Sequence, residues 1–174
     1  SFRGRSRWRQ IEPGAQGARI DRNPFPSNVA DAVGRGGYLA TLTSIEENAF
    51  VFSLVATTPA FWFNDGANNT QGPWLGGRQQ QSPPAPEPAG AWLWVTGEAW
   101  GYSNWSSGEP NDNGGNEDCL QFFGAGLNNP AATWNDVPPD SSVRGYILEI
   151  PEPASTALVA SLLVGLAAVR SRRA

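Results

Sequence analysis

The chain is organised around the stretch Gly108-Glu109-Pro110-Asn111-Asp112-Asn113-Gly114-Gly115-Asn116-Glu117-Asp118-Cys119, followed later by Trp134-Asn135-Asp136. Carboxylates stand at positions 109, 112, 117, 118 and 136, and amides at positions 111, 113, 116, 128, 129 and 135. Oxygen ligands on irregular backbone suit a hard cation, and Ca²⁺ accepts about 6–8 of them in flexible geometry. The stretch therefore predicts a Ca²⁺ site.

The rest of the composition excludes several classes of function. The chain has no histidine, no lysine and a single cysteine, so His-based catalytic triads, His-ligated zinc and P-loop lysines are all excluded. Residues 23–150 hold three arginines against thirteen acidic residues. Nucleic-acid binding needs a basic face, so we expect no nucleic-acid partner. This acidic middle favours a divalent cation.

The pattern along the chain predicts an α+β domain over residues 23–150. A first helix is expected over Ser27–Gly36, with Ser27 or Asn28 as its cap and an apolar face at positions 29, 30 and 33. A capping box at 44–47 predicts a second helix over Ile45–Ala56 that buries residues 45, 49, 50, 52 and 55. Short strands are expected at 37–42, 91–95, 120–123, 133–134 and 145–150, with compact aromatic pieces at 61–63 and 74–77.

Two flanking segments differ from this domain. Residues 1–22 are rich in arginine and lack apolar periodicity, and we expect either an incomplete start or a basic interaction arm. Residues 151–174 begin with Pro151-Glu152-Pro153, continue with an uncharged run at 154–169 and end in an arginine cluster. That run predicts a short membrane segment of about 24 Å as a helix, or else a buried core helix.

Five segments together resemble a known family, the C-type lectin-like domain, over about residues 25–150. They are Gly37–Asn48, Trp74–Gly77, Glu109–Asn111, Asn116–Cys119 and Trp134–Asp136. The resemblance implies two helices, small antiparallel sheets and long Ca²⁺-binding loops. It is a variant without disulfide bonds, because Cys119 has no partner cysteine. We expect Cys119 to be a buried small apolar residue or, alternatively, to form an intermolecular disulfide.

The resemblance also implies a set of site residues. The ligands of a sugar-binding Ca²⁺ would be Glu109, Asn111, Glu117, Asn135 and Asp136, and the same residues would bind carbohydrate. Pro110 would be the family's cis-proline. Trp105 or Trp134 could pack against the sugar, unless Trp134 belongs to the core. The Glu-Pro-Asn order resembles the mannose-, glucose- and N-acetylglucosamine-type sites, whereas galactose-type sites have Gln-Pro-Asp.

A second cation site is implied only in part. Asp112 and Asp118 match positions of the family's auxiliary Ca²⁺ site. The loop Arg78–Pro84, where its other acids should lie, contains none.

The C-terminal segment resembles a PEP-CTERM sorting signal. Such a signal implies export in a Gram-negative bacterium, transient anchoring in the inner membrane through residues 154–169, and removal by a sorting enzyme of exosortase type. The protein would then reside at the outer surface or in the extracellular matrix, in contact with glycan or exopolysaccharide.

Three functions are compatible with these residues. The first is Ca²⁺-dependent carbohydrate binding, without enzymatic activity. The second is a lectin-like module that binds a protein or another surface, in which Ca²⁺ only stabilises the loops. The third is an acidic glycoside hydrolase using Glu109 and Glu117, which predicts a strongly raised pKa for one of them.

Overall fold

The computed structural model describes residues 7–11, 24–80, 88 and 90–151. The predicted C-terminal signal lies outside these ranges from residue 152 onward, including its apolar run at 154–169. No helix within the described ranges combines the length and apolar character needed to cross a bilayer. The membrane segment therefore stays a prediction from the sequence.

The first helix, α1, spans Phe25–Gly34 and begins two residues before the predicted start. Neither Ser27 nor Asn28 caps it, because the N-cap position is Pro24. The earlier start has two causes. Proline in the first turn has a φ close to the helical value, and the ring of the first helical residue packs edge-on against Trp74 at 5.4 Å.

The buried face of α1 also differs from the predicted one. It consists of Phe25, Asn28 and Ala32. Val33, which was predicted to face the core, is 64% exposed. The Asn28 side chain is buried, and its Nδ2 donates to the Pro24 carbonyl at 3.2 Å.

The second helix, α2, spans Ile45–Val55, and its start confirms the predicted capping box. Ser44 Oγ accepts a hydrogen bond from the Glu47 N–H at 3.2 Å. The Glu47 carboxylate bonds back to the N–H and the hydroxyl of Thr43, both at 2.8 Å, one residue earlier than a standard box requires. The start of α2 is thus held by reciprocal hydrogen bonds.

The buried face of α2 is not the one predicted from periodicity. Its buried residues are Asn48, Val51 and Val55. Asn48 Nδ2 donates to the Ala132 carbonyl at 3.0 Å, and its Oδ1 accepts from Trp134 Nε1 at 2.8 Å. The helix is apolar on most sides, so these two hydrogen bonds, rather than periodicity, select its face. Of the five residues predicted to be buried, only Val55 is fully buried, and Phe52 is half-buried. The other three are exposed, namely Ile45, Ala49 and Phe50.

Eight strands lie within the described residues. They are β1 (Arg7–Ile11), β2 (Tyr38–Leu39), β3 (Phe63–Asn64), β4 (Asn69–Gln79), β5 (Trp92–Trp94), β6 (Cys119–Ala125), β7 (Thr133–Val137) and β8 (Tyr146–Ile150), with a 3₁₀ turn at Pro59–Phe61. These strands form one sheet in the order β1-β8-β4-β6-β7, with β2 on β8 and both β3 and β5 on β4. Among them, only β4 and β8 pair in parallel, where Trp74 faces Tyr146. The predicted antiparallel sheets are therefore joined into one mixed sheet.

Strand β1 adds an element that the sequence pattern did not indicate. It lies inside the segment 1–22 and pairs antiparallel with β8, from Arg7 opposite Ile150 to Ile11 opposite Tyr146. An edge strand pairs through backbone hydrogen bonds. It therefore does not require the alternation of apolar and polar residues that indicates a half-buried strand.

The core is dominated by aromatic rings. The ring centroids of Trp94 and Trp134 are 5.9 Å apart and the two rings are nearly perpendicular. Trp134 has no exposed surface. Trp134 is therefore a core residue, which was one of its two predicted roles. Cys119 is buried and carries a free thiol, as expected for a small apolar residue. Burial raises the pKa of that thiol, which favours its protonated form at neutral pH.

Two glycines in the Trp74–Gly77 motif allow β4 to pack tightly. A Cβ at Gly76 would lie 2.5 Å from the Leu39 carbonyl oxygen, and a Cβ at Gly77 would lie 2.7 Å from Leu120 Cδ2. Neither position has room for a side chain. β4 can therefore lie close to β2 and β6, which positions the end of β6 that carries the candidate site.

Candidate metal centre

Two elements bring the predicted site residues together: the loop between β5 and β6, and strand β7. Glu109 and Asn111 lie in the loop, and Glu117 lies two residues before β6 begins. On β7, Asn135 stands opposite Gln121 of β6. The side chains of these four predicted ligands line one cavity of about 340 Å³.

Asp136, the fifth predicted ligand, is fully buried and holds the loop. Its two carboxylate oxygens each lie 3.1 Å from the Asn111 backbone nitrogen, and Oδ2 accepts from the Asp112 N–H at 2.8 Å. The peptide bond between Glu109 and Pro110 is cis, as the resemblance implied. Asp136 thus fixes the backbone from which Glu109 and Asn111 project.

Other carboxylates close the loop from within. Asp112 Oδ1 accepts from the Glu117 N–H at 3.0 Å, and Glu117 Oε2 accepts from the Asn113 N–H at 2.7 Å. Asp118 is half-buried, and its carbonyl accepts from the Gln79 N–H at 2.8 Å. These contacts explain the shape of the loop without a second cation, so a second site at Asp112 and Asp118 stays a prediction.

Burial raises the pKa of three carboxyl groups in this region. The pKa of Glu109 rises to about 7, first because of burial and then because of the charge on Asp136. The pKa of Glu117 also rises to about 7 through burial, with the charge of Asp136 adding to the shift and the bond from Asn113 opposing it. Burial likewise raises the pKa of Asp136. A cation beside these groups would favour their charged forms.

Two acceptors on the predicted ligand side chains have no hydrogen-bond donor among the described residues. They are Glu109 Oε2 and Asn135 Oδ1, and both are buried. Leaving such a group unpaired costs about 1–3 kcal/mol, and native proteins nearly always supply a partner. A bare Ca²⁺ ion, at about 2.3–2.6 Å from its oxygen ligands, is such a partner. The oxygens of this cavity therefore fit a hard cation.

The carboxylates of this cavity could bind a cation only together with the amide side chains. Within the described ranges, His, Cys, Asp and Glu side chains alone form no group of three that could hold a metal ion. Asp136 uses both of its oxygens on loop N–H groups. A cation here would therefore depend on Asn111 and Asn135 as much as on Glu109 and Glu117.

The family model for the lectin C-type domain matches residues 32–147, which is more than half of the chain. The chain belongs to the C-type lectin domain family. This lectin domain is 34% identical over 113 residues to perlucin-like protein of Mytilus galloprovincialis, covering 64% of this chain and 60% of that protein. It is 29% identical over 125 residues to ladderlectin of Oncorhynchus mykiss, covering 72% of this chain and 56% of that protein. The chain thus spans less than two thirds of the length of these relatives.

Solved structures confirm the predicted C-type lectin fold. The cow CD23 carbohydrate-recognition domain, determined in the presence of a GlcNAc2Man3 oligosaccharide, superimposes with a TM-score of 0.56 at 20% identity, covering 85% of this chain and 88% of that one. A calcium-independent type II antifreeze protein has a TM-score of 0.56 at 22% identity, covering 86% and 88%. One fold thus serves different ligands, so the function must be argued from the site.

These relatives do not support every part of the resemblance. The two aligned relatives are animal proteins. They support neither a bacterial origin nor the sorting signal at residues 151–174.

Several residues that line the cavity were missed by sequence reasoning. The aromatic rings in its wall are Phe63 and Phe123 rather than Trp105 or Trp134. Gln121 also lines it, and the available signal was a polar residue inside the otherwise apolar run of β6. That signal becomes informative only when the register of β6 and β7 is known.

Proposed function

We propose that this lectin domain binds carbohydrate in a Ca²⁺-dependent manner. The observation that carries the proposal is the convergence of Glu109, Asn111, Glu117 and Asn135 on one cavity, with one buried acceptor on Glu109 and one on Asn135 left unpaired. Membership in the C-type lectin domain family supports carbohydrate binding in general.

The site residues divide into two chemical groups. When bound, Ca²⁺ supplies open coordination positions that two neighbouring hydroxyls of a sugar ring can occupy. Glu109 and Glu117 then accept hydrogen bonds from those hydroxyls, and the amide N–H groups of Asn111 and Asn135 donate to them. Asp136 keeps the loop in the shape that this arrangement needs.

The order of carboxylate and amide favours one class of sugar. Glu109 precedes Pro110 and Asn111 follows it, as in mannose-, glucose- and N-acetylglucosamine-type sites of the family. Exchanging the carboxylate and the amide would exchange the hydrogen-bond acceptor and donor that face the sugar. A sugar that leaves polar groups of the site unpaired binds with lower affinity. We therefore propose this sugar class for the domain.

A glycan array, probed with and without a chelator, tests the proposal. We expect binding to mannose-, glucose- or N-acetylglucosamine-terminated glycans with Ca²⁺ and its loss with EDTA. Asn135→Ala should abolish the signal, whereas Asn116→Ala, at an exposed amide of the same loop, should keep it. Unchanged binding in EDTA, or in Asn135→Ala, would contradict the proposal.

A second candidate function is binding of a protein or another surface, with Ca²⁺ as a brace for the loop. It is favoured by the carboxylates that already bond loop N–H groups, namely those of Asp112, Glu117 and Asp136. In that case Ca²⁺ raises the melting temperature, but no monosaccharide competes for the bound partner. The same chelator experiment, run with free sugars, separates the two functions.

Glycoside hydrolysis is the weakest of the three functions. The raised pKa values of Glu109 and Glu117 are what it predicts, but burial of unneutralised cation ligands raises them equally well. The family consists of binding proteins, which favours a domain without enzymatic activity.

We further propose that the lectin domain occupies residues 23–150 and is exported. On this proposal residues 151–174 act as a PEP-CTERM signal, anchored through 154–169 until an exosortase-type enzyme of a Gram-negative bacterium removes it. The support is the residue pattern alone: the Pro-Glu-Pro start, the uncharged run and the arginine cluster. Mass spectrometry of the protein from its host should find a mature C-terminus near residue 151, and an intact terminus would contradict this.

A further inference from the structure

A groove leads away from the candidate metal centre, and we propose that it binds a second sugar ring, so that the ligand is an oligosaccharide. This inference rests on the proposed function. The cavity that contains Glu109 and Asn135 also extends to Phe63, Asp65 and Gln71, where β3 pairs with the first half of β4. Its volume of about 340 Å³ falls within the range of about 300–1,000 Å³ that small-ligand pockets occupy.

A directional chain of hydrogen bonds runs along this groove. Asp65 Oδ1 accepts from the N–H groups of Ala67 at 2.9 Å and Asn69 at 2.8 Å. Asp65 Oδ2 accepts from Gln71 Nε2 at 2.6 Å, and Gln71 Oε1 accepts from Gln121 Nε2. Burial raises the pKa of Asp65, but these donors outweigh it and hold that pKa below its usual range. Asp65 is therefore a carboxylate and can only accept.

The direction of this chain determines how Gln121 is presented. Because Asp65 accepts, Gln71 must turn its NH₂ group toward it and its carbonyl toward Gln121. Gln121 must then give its NH₂ group to Gln71, which leaves its Oε1 for another partner. No described residue donates to that oxygen, although Gln121 is fully buried.

The unpaired oxygen of Gln121 needs a donor, and a sugar hydroxyl is one. In the sheet Gln121 stands opposite Asn135, so this acceptor lies beside the candidate metal centre. It has no accessible surface, so a ligand reaches it only when half-buried side chains in the wall of the cavity adjust on binding. Adjustments of this kind are common at binding sites.

An aromatic ring completes the proposed subsite. Phe63 is half-buried and lines the groove next to Gln71, its pairing partner across β3 and β4. The Arg144 guanidinium lies 5.0 Å from the centre of this ring and donates to the Trp62 carbonyl at 3.1 Å. Phe63 is thus held in place as an apolar surface on which the C–H face of a pyranose can pack.

Titration calorimetry of the full chain in excess Ca²⁺ tests the proposal. The probes are methyl glycosides of mannose, glucose and N-acetylglucosamine, each compared with the linked disaccharides of the same sugar. We expect at least one disaccharide to bind about tenfold more tightly than its methyl glycoside. Phe63→Ala should reduce this advantage to within twofold, whereas Phe50→Ala, at an exposed ring on α2, should leave it intact.

Asp65→Asn tests the direction of the hydrogen-bond chain. The variant keeps an oxygen for the turn but offers N–H to Gln71, so both glutamine amides must reverse and Gln121 then presents N–H to the groove. We expect the disaccharide advantage to fall about fivefold while the methyl glycoside binds as before, a change that a loss of stability alone would not produce.

The outcomes separate this inference from the proposed function. If methyl glycosides bind but no disaccharide gains affinity, or if the gain survives both Phe63→Ala and Asp65→Asn, only the second subsite is overturned. If no sugar binds in a Ca²⁺-dependent manner, the proposed function fails and this inference fails with it.

Discussion

The β6–β7 hairpin carries loops at its two ends that differ in how they satisfy their polar groups. The far-end loop, residues 126–132, contains only neutral side chains. Asn64 and Asn128 exchange hydrogen bonds there: Asn64 Oδ1 accepts from the Asn128 N–H, and Asn64 Nδ2 donates to Asn128 Oδ1, both at 2.9 Å. Thr70 Oγ1 accepts from the Asn129 N–H at 3.0 Å.

The near-end loop, residues 108–118, carries four carboxylates and behaves differently. Glu109 Oε2 is buried without a donor among the described residues, and the pKa of Glu109 and that of Glu117 each rise to about 7. The contrast has a simple cause. An amide both donates and accepts, so amides can satisfy one another, whereas ionised carboxylates only accept and need donors or a cation. The near-end loop is therefore the one whose oxygens fit a cation.

The largest expected effect is on sugar binding. On the proposed function, Glu109→Ala at the near end should weaken Ca²⁺-dependent binding by more than about 100-fold, because Glu109 would serve both as a cation ligand and as a hydroxyl acceptor. Asn64→Ala at the far end should leave the dissociation constant within twofold. Calorimetry with a methyl glycoside measures both, and equal losses in the two variants would remove the functional distinction between the loops.

Removal of Ca²⁺ should destabilise one loop and not the other. At a Ca²⁺ concentration about 100 times the dissociation constant, binding stabilises the folded state by about 2.7 kcal/mol, which EDTA removes. Hydrogen exchange should accelerate at residues 108–118, where the acids repel each other, and stay unchanged at 126–132. Identical exchange in EDTA and in Ca²⁺ at both loops would argue against a cation at the near end.

Stability without Ca²⁺ should depend on pH through the near-end loop. The folded pKa of Glu109 and that of Glu117, each about 7, exceed the ordinary value of 4.5, so the folded state binds more protons than the unfolded state between these values. Stability in EDTA should therefore be greater near pH 5 and fall as the pH rises through 7, by roughly 1 kcal/mol or more.

Urea unfolding at pH 5 and pH 8 measures this difference. Glu109→Gln should reduce it, and saturating Ca²⁺ should abolish or reverse it. A stability in EDTA that rises between pH 5 and pH 8 would contradict the raised pKa values.

The smallest effect is expected at the far end. Thr70→Val keeps the shape of a buried side chain but removes the hydroxyl that donates to the Gly126 carbonyl at 2.7 Å. We expect a loss of about 1 kcal/mol in the free energy of unfolding, equal in Ca²⁺ and in EDTA. A loss that depends on Ca²⁺ would show that the two ends of the hairpin are coupled.

One local signal in the sequence predicted local structure well, whereas the predicted cap of α1 was wrong. The capping box at Ser44 and Glu47 predicted where α2 begins, because its hydrogen bonds join residues three positions apart. The buried face of α2 was predicted wrongly except at Val55. It depends on Asn48 and Trp134, which are 86 residues apart and meet only in the folded protein. Strand β1 likewise needs β8, and its own residues show no strand pattern.

The candidate site shows the same division. The sequence by itself determined the chemistry that is available: oxygen donors without histidine, a Glu-Pro-Asn turn, and a second group of candidate ligands at Asn135 and Asp136. Only the tertiary structure decided that Asp136 holds the loop and that Gln121 lies beside Asn135. It also decided that Asp65 accepts a hydrogen bond from the Gln71 amide, which in turn accepts from Gln121. The reason is physical: residue type sets which atoms can donate, accept or bind a cation, whereas strand register and long-range hydrogen bonds set which of those atoms meet.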